Sequence, residues 1–484
     1  MIKIDSAGWT YTGVEQASLH DISLSVAPGE FVVLCGASGS GKSTVLRLMN
    51  GLIPNFHDGD LTGTVEVAGL STATARLDEV GLQTGTVLQH PRRQFFTDSA
   101  PEEVAFALEN FGHEPAAIRT RVDATLAGLA ADIPVDGRLA LLSGGQQQQV
   151  ALAAASAHGP GILLLDEPSS NLDADAVQRL AASLAELKAR GITIVVAEHR
   201  LRYLHDVLDR VVVMRNGRID AEWNAEEFQA VPDEALARKG LRGDVRPADV
   251  PALPAAGASV AGTAPDDADP AGALRLTGIR CRLGGRVVLD LDHVTFAAGT
   301  VTAIRGANGA GKSTLARVVT GLQRCPGTVA LDGRVLRPRA RQRVSAIVMQ
   351  DVQRQLFTDS VDAEVELASG LKDTDVAEVL RDLDLAHLAE RHPLSLSGGQ
   401  QQRLVIAAAR VSHRRIVIFD EPSSGVDRRH LRSISDQIRR VARDGAVVLL
   451  ISHDEDLIAL AADAQLTLRR PEPAQRVSAR PNDG

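Results

Sequence analysis

The chain carries one phosphate-loop pattern twice, and each copy is followed by the same short motifs in the same order. The first loop reads Gly36-Ala37-Ser38-Gly39-Ser40-Gly41-Lys42-Ser43-Thr44, and the second Gly306-Ala307-Asn308-Gly309-Ala310-Gly311-Lys312-Ser313-Thr314. After the first come Gln89, the run Leu142-Ser143-Gly144-Gly145-Gln146, the pair Asp166-Glu167, and His199. Gln350, Leu396-Ser397-Gly398-Gly399-Gln400, Asp420-Glu421 and His453 answer them in the second half. A repeat of this length and order demands two copies of one fold.

Offsets between equivalent positions show where the copies differ. Lys42 to Lys312 is 270, Gln89 to Gln350 is 261, and Ser143 to Ser397, Asp166 to Asp420 and His199 to His453 are each 254. The second copy is therefore shorter by 9 residues (270 − 261) between loop and glutamine, and by 7 (261 − 254) between glutamine and the Leu-Ser-Gly-Gly-Gln run. From that run to the histidine the spacing is fixed, as expected of a catalytic core flanked by tolerant surface segments.

At 484 residues, 44% hydrophobic and 23% charged, the chain has the length and composition of two or three globular domains. The expected domains are residues 1–243 and 274–470, joined by a Pro/Ala-rich linker over 244–273 and followed by a disordered tail over 471–484. No apolar run approaches the roughly 18 residues of a membrane span. The start of the chain enters a strand pattern directly, without a secretory segment. Cys35, Cys281 and Cys325 show no metal or disulfide spacing and read as reduced residues of a cytosolic protein. A net charge of −9 argues against nucleic acid as a partner. Only six of the 52 basic residues are lysines, yet two of those six sit in the phosphate loops, where a compact ammonium is needed.

β-Branched runs such as Phe31–Cys35 and Val301–Arg305 lead straight into the loops, and helical patterns follow them. They predict an α/β fold with a mainly parallel core sheet in each half, plus a helical subdomain. A Gly-rich loop before a helix lets backbone N–H groups converge on phosphates. Lys42 and Lys312 would reach the β- and γ-phosphates, and Ser43 and Ser313 would ligate Mg²⁺. Asp166 and Asp420, ending apolar strands, would share that metal, while Glu167 and Glu421 are placed as general bases toward water. Each motif alone has a bland counterpart: a Gly-rich turn, a helix-capping acid, a strand-end histidine. Their matched repetition argues for the chemistry.

Together, loop, glutamine, Leu-Ser-Gly-Gly-Gln run, strand-Asp-Glu-Pro and histidine resemble the ATP-binding-cassette (ABC) ATPases over about residues 1–235 and 272–470. The resemblance implies that two cassettes close head to tail within this chain and bind ATP and Mg²⁺. One ATP would lie between Gly36–Thr44 and Ser397, Gly398, Gly399 and Gln400; the other between Gly306–Thr314 and Ser143, Gly144, Gly145 and Gln146. By the same likeness His199 and His453 would contact the γ-phosphate, Gln89 and Gln350 would sense Mg²⁺, and Asp173 and Asp427 would close the interface. Tyr11 stands where such cassettes stack an aromatic on adenine, whereas the second half has Leu283 there, which predicts unequal nucleotide affinity. Gln149 replaces the Arg403 of the second half and reads as tuning.

The segments Gln89-His-Pro-Arg-Arg-Gln94-Phe-Phe and Gln350-Asp-Val-Gln-Arg-Gln355-Leu-Phe resemble those of energy-coupling-factor (ECF) transporter ATPases. That likeness implies a peripheral protein at the cytoplasmic face of the cell membrane. It would work with a transmembrane coupling protein and a small substrate-binding membrane protein, in uptake of a vitamin, a vitamin precursor or a transition-metal ion. The alternative is a soluble tandem-cassette ATPase of translation or the ribosome. Ser99 with Glu102 fits a capping box; Glu103 and Glu364 read either as first-turn acids or as the lining of a groove for a basic coupling helix.

Overall fold

The computed structural model describes residues 1–14, 16–131, 133–134, 137–170, 172–232, 235–236, 239, 241, 248–253, 271–284, 286–349, 351–369, 376–423 and 428–469. The chain divides at Val245/Arg246 into two compact units of like architecture. Gln350, Asp427, the tail over 471–484 and most of the 244–273 segment lie outside the described residues.

In the first unit six strands form the main sheet in the order Arg218–Asn224, Arg210–Arg215, Phe31–Gly36, Thr193–Ala197, Ile162–Asp166, Thr84–Val87. All neighbours pair parallel except the edge strand Arg218–Asn224. Successive residues of each strand feed different cores. Val33, Leu163, Leu165, Ile194 and Val196 pack with Val104, Leu108 and Leu180 on one face. On the other, Val32, Leu34, Leu164 and Val195 pack with Trp9, Leu19, Val45 and Leu48. A sheet buried on both faces explains the unbroken apolar runs. A second, antiparallel sheet of Leu19–Val26, Ile2–Tyr11, Gly59–Val67 and Leu70–Ser71 covers the latter core.

The second unit repeats this plan, with an antiparallel sheet over Leu274–Leu283 and Arg286–Phe296 and five parallel strands. Those five run Ser345–Val348, Ile416–Asp420, Val447–Ile451, Val301–Arg305, Ala464–Thr467. Strand registers divide the 9-residue difference: Val67 answers Leu331 (offset 264) and Thr84 answers Ser345 (261). Six residues (270 − 264) are thus lost before that strand and three (264 − 261) after it. The 7-residue difference falls between Glu103 and Ser143, which answer Glu364 (offset 261) and Ser397 (offset 254), in the helical part.

Within the expected linker, residues 248–253 belong to the second unit. Val250 is buried beside Ala303 and Ile458. Leu253 N–H donates to the Gln465 carbonyl (2.7 Å) and Gln465 N–H to that of Pro251 (2.8 Å).

Candidate active site

Strand Phe31–Gly36 delivers the first phosphate loop to helix Lys42–Met49, and strand Val301–Arg305 delivers the second to helix Lys312–Val319. Gly36 and Gly306 sit at φ 149° and 138°, where a Cβ would lie 2.2 Å from the Met214 carbonyl oxygen and 2.5 Å from that of Leu468. Only glycine fits against the neighbouring strand there. Lys42 is buried, and its Nζ donates to the carbonyls of Gly36 (3.0 Å) and Ala37 (3.1 Å). Burial lowers its pKa, against the pull of Glu167. Lys312 makes the same bonds to Gly306 (2.6 Å) and Ala307 (3.3 Å).

The acids end the strands beside these loops. Ser43 Oγ donates to Asp166 at 3.0 Å and Ser313 Oγ to Asp420 at 3.3 Å, so each predicted metal-ligand pair is together. Burial raises the pKa of both aspartates, and the neighbouring Glu167 charge adds to it at Asp166. Glu167 and Glu421 occupy the left-handed region, at φ 45° and 52°. For a residue other than glycine this costs on the order of 1–3 kcal/mol and is characteristic of functional sites. Their backbone N–H groups donate to Ala197 and Ile451 (2.8 Å each), the last residues of the neighbouring strands, and this turns the carboxylates out of the sheet.

The two units differ around these glutamates. Glu167 accepts from Gln89 Nε2 at 2.7 Å and lies 2.8 Å from His199 Nε2. Burial alone would raise its pKa, but His199, Lys42 and Gln89 together bring it down to about 2. In the second unit His453 Nε2 is 3.8 Å from Glu421 and 3.0 Å from Lys312 Nζ. Loop, acids and histidine are thus gathered within each unit, with the glutamine as well in the first.

Ser143 and Ser397 head the helices Gly144–Ser156 and Gly398–Val411 as N-caps. Each accepts from the N–H of Gln146 (3.3 Å) or Gln400 (3.4 Å), whose side chain accepts the serine N–H in return. This capping box leaves the Gly-Gly amides of the first turn to an anion. Asp173 caps helix Ala174–Ala189 by accepting from Ala176 N–H (2.9 Å). Arg403 is buried with its guanidinium 3.7 Å from Asp384, and Gln149 is partly buried.

Tyr11 and Leu283 are the last residues of equivalent strands. Tyr11 packs edge-on against Trp9 and His57 and accepts from Arg47 (3.0 Å); Leu283 is exposed.

The segment after each glutamine departs from expectation. The Ser99 side chain makes no capping bond to its helix; only its carbonyl accepts, from Glu103 N–H (3.0 Å). Glu103 and Glu364 lie in the first turns of their helices, as one reading expected, but both are buried and line no groove. Glu103 Oε2 accepts from Phe96 N–H (3.0 Å), Thr97 N–H (3.0 Å) and Thr97 Oγ1 (2.9 Å). Glu364 does the same for Phe357 and Thr358, at 2.9, 3.0 and 2.8 Å. Gln94 and Gln355 close the other side by bonding back to strand backbone, at Leu88 and Thr86 or Met349 and Ile347. Phe95 and Leu356 turn inward, while Phe96 and Phe357 stand 75% and 77% exposed. Sequence reasoning missed this anchoring, though the shared six-residue spacing from Thr97 to Glu103 and from Thr358 to Glu364 carried the signal.

The family model described as ABC transporter matches residues 19–170 and 289–424. An ABC transporter ATP-binding protein of Treponema denticola is 39% identical over 464 residues, covering 95% of this chain and 93% of its own. One of Streptomyces coelicolor is 32% identical, over 98% and 93%. Among solved structures, RNase-L Inhibitor matches 96% of this chain and 88% of its own, with a TM-score of 0.61 and 20% identity, a likeness of fold.

Proposed function

Because the chain belongs to the ABC transporter family of ATP-hydrolysing cassette proteins, we propose that it is the two-cassette motor of an energy-coupling-factor-type importer. In this reading it sits peripherally at the cytoplasmic face of the cell membrane. It drives a transmembrane coupling protein and a small substrate-binding membrane protein that take up a vitamin, a vitamin precursor or a transition-metal ion. The observation that carries the reading is the exposed phenylalanine at the same place in both units. Phe96 stacks on Phe106 (4.8 Å between centroids), and the positions answering them are Phe357 and exposed Leu367. Each apex is pinned by a buried glutamate, which presents an apolar contact at a fixed place beside the nucleotide machinery. Exposed apolar groups held rigidly in this way suit a protein partner.

Mechanistically, the loop amides and Lys42 or Lys312 would bind the ATP phosphates. Hydroxyl and carboxylate oxygens of Ser43 with Asp166, and of Ser313 with Asp420, are hard donors that fit Mg²⁺. When bound, that ion supplies neutralisation of phosphate charge. With a pKa of about 2, Glu167 is a weak base as it stands. If His199 and Gln89 turned toward bound nucleotide, the contacts they make would be lost and Lys42 alone would remain to lower it. Burial would then push the carboxylate up toward the range in which it accepts a proton from the attacking water.

The test adds the purified chain to membrane vesicles stripped of peripheral proteins. Their ATP turnover should rise well above that of the chain alone, and Phe96→Asp with Phe357→Asp should remove the increase while leaving the soluble activity. Stimulation by ribosomes instead of membranes would favour the translation-type alternative and overturn the importer reading.

A further inference from the structure

The turn that carries His199, after strand Thr193–Ala197, contains a buried acid that the reaction itself does not employ. Glu198, next to His199, is only 2% exposed. One oxygen accepts the backbone N–H groups of His199 (2.8 Å) and Arg200 (3.2 Å). The other accepts the N–H of Ser169 (3.3 Å) and the hydroxyl of Tyr203 (3.0 Å). Ser169 lies two residues beyond Glu167, so one carboxylate ties the histidine's turn to the turn that follows the general base.

The second unit is built differently. Ser452 replaces Glu198, and Leu457 replaces Tyr203. There Glu421 itself accepts the His453 N–H (3.3 Å) and faces the Ser452 hydroxyl at 3.5 Å. One oxygen of Glu421 is thus engaged by the backbone of His453. In the first unit Glu198 takes that N–H, and both oxygens of Glu167 are left for Gln89 and the His199 ring. The histidine–glutamate separation follows: 2.8 Å in the first unit and 3.8 Å in the second.

We infer that Glu198 is a positioning residue, which holds the His199 turn so that the imidazole is set against Glu167 and makes the catalytic pair of the first unit more ordered than that of the second. It touches no reacting atom and acts through His199 and the Ser169 turn. The inference rests on the roles given above to Glu167 and His199. Displacing an oriented group by about 1 Å costs up to about 100-fold in rate, so losing the Glu198 anchor should cost roughly tenfold.

The experiment uses the full chain with Mg²⁺-ATP, in the parent and in a Glu421→Gln background. If the sites are independent, the second background isolates turnover by the first unit; if they are obligately coupled, the parent background shows the whole effect. Glu198→Ser, which imitates the second unit, should lower kcat roughly tenfold and leave KM for ATP within about twofold. Glu198→Gln, which keeps one acceptor oxygen, should recover much of the loss, and Tyr203→Phe should lower kcat about two- to fivefold. A purely structural role would lower the fraction of chain that binds nucleotide, without changing kcat per bound ATP. Parent-like kcat per bound ATP in Glu198→Ser overturns the inference. If that variant does not fold, parent-like kcat in both Glu198→Gln and Tyr203→Phe overturns it. Glu167→Gln run alongside separates the two ideas: parent-like turnover there refutes the role of Glu167. Slow Glu167→Gln with parent-like Glu198→Ser refutes only the positioning role.

Discussion

Replacing Glu103 with alanine should free the apex of the first unit's loop without disturbing ATP binding. The carboxylate accepts two backbone N–H groups and one hydroxyl through a single oxygen, all from Phe96 and Thr97. A hydrogen bond to a charged group is worth about 1.5–3 kcal/mol, and about 1.4 kcal/mol is a factor of ten. Amide exchange at Phe96 and Thr97 should therefore speed up about 10- to 150-fold. Amides of Phe357 and Thr358, held by Glu364 in the other unit, should not change. Hydrogen exchange read by mass spectrometry on the two loop peptides within one sample gives the comparison. Thr97→Val, which removes the hydroxyl contact, should produce a smaller change at the same amides. Unchanged exchange at residues 96 and 97 in Glu103→Ala would refute the anchoring role. Loss of ATP binding would show that the acid serves the nucleotide site instead.

Glu167→Gln and Glu421→Gln should each retain ATP binding, and the doubly substituted chain should turn over about 10²–10⁴-fold more slowly, as measured by phosphate release. Tyr11→Ala should weaken one class of nucleotide site, seen by titration with a fluorescent ATP analogue, because Leu283 offers no ring at the equivalent position. The pKa of Glu167 lies at about 2 instead of 4.5, so the contacts of its carboxylate stabilise the fold above about pH 4.5, and that stabilisation is lost as pH falls toward 2. His199→Asn should move acid unfolding of the first unit, followed by Trp9 and Trp223 fluorescence, to higher pH; no movement would contradict the His199–Glu167 contact.

The fold was legible because strands buried on both faces leave unbroken β-branched runs, as at Phe31–Cys35 and Ile416–Phe419. Loop, acid and histidine positions could be read from spacing, since a repeated catalytic set leaves little room for drift. The antiparallel sheets were harder to see: Ile2–Tyr11 and Leu274–Leu283 mix buried and exposed residues around irregular registers. Glu103 was legible as a first-turn acid but not as a loop anchor, because such an acid looks the same in sequence whether it faces water or folds back on a preceding loop. Glu198 carried no motif at all. Its role comes from Ser169 and Tyr203 approaching through the fold, and no local pattern encodes that. Residues 248–253 read as linker because Pro and Ala dominate, but Val250 finds an apolar pocket and the backbone finds Gln465.

The central claim, that this ATPase is the motor of a membrane importer engaged through Phe96 and Phe357, is tested most directly by affinity purification of the tagged chain from detergent-solubilised membranes of its own cells. Integral membrane proteins should co-purify with the parent chain in fixed stoichiometry, and they should be absent when Phe96 and Phe357 are both replaced by aspartate. Co-purification of ribosomal proteins in their place, or undiminished recovery of the same membrane proteins with the double variant, would contradict it.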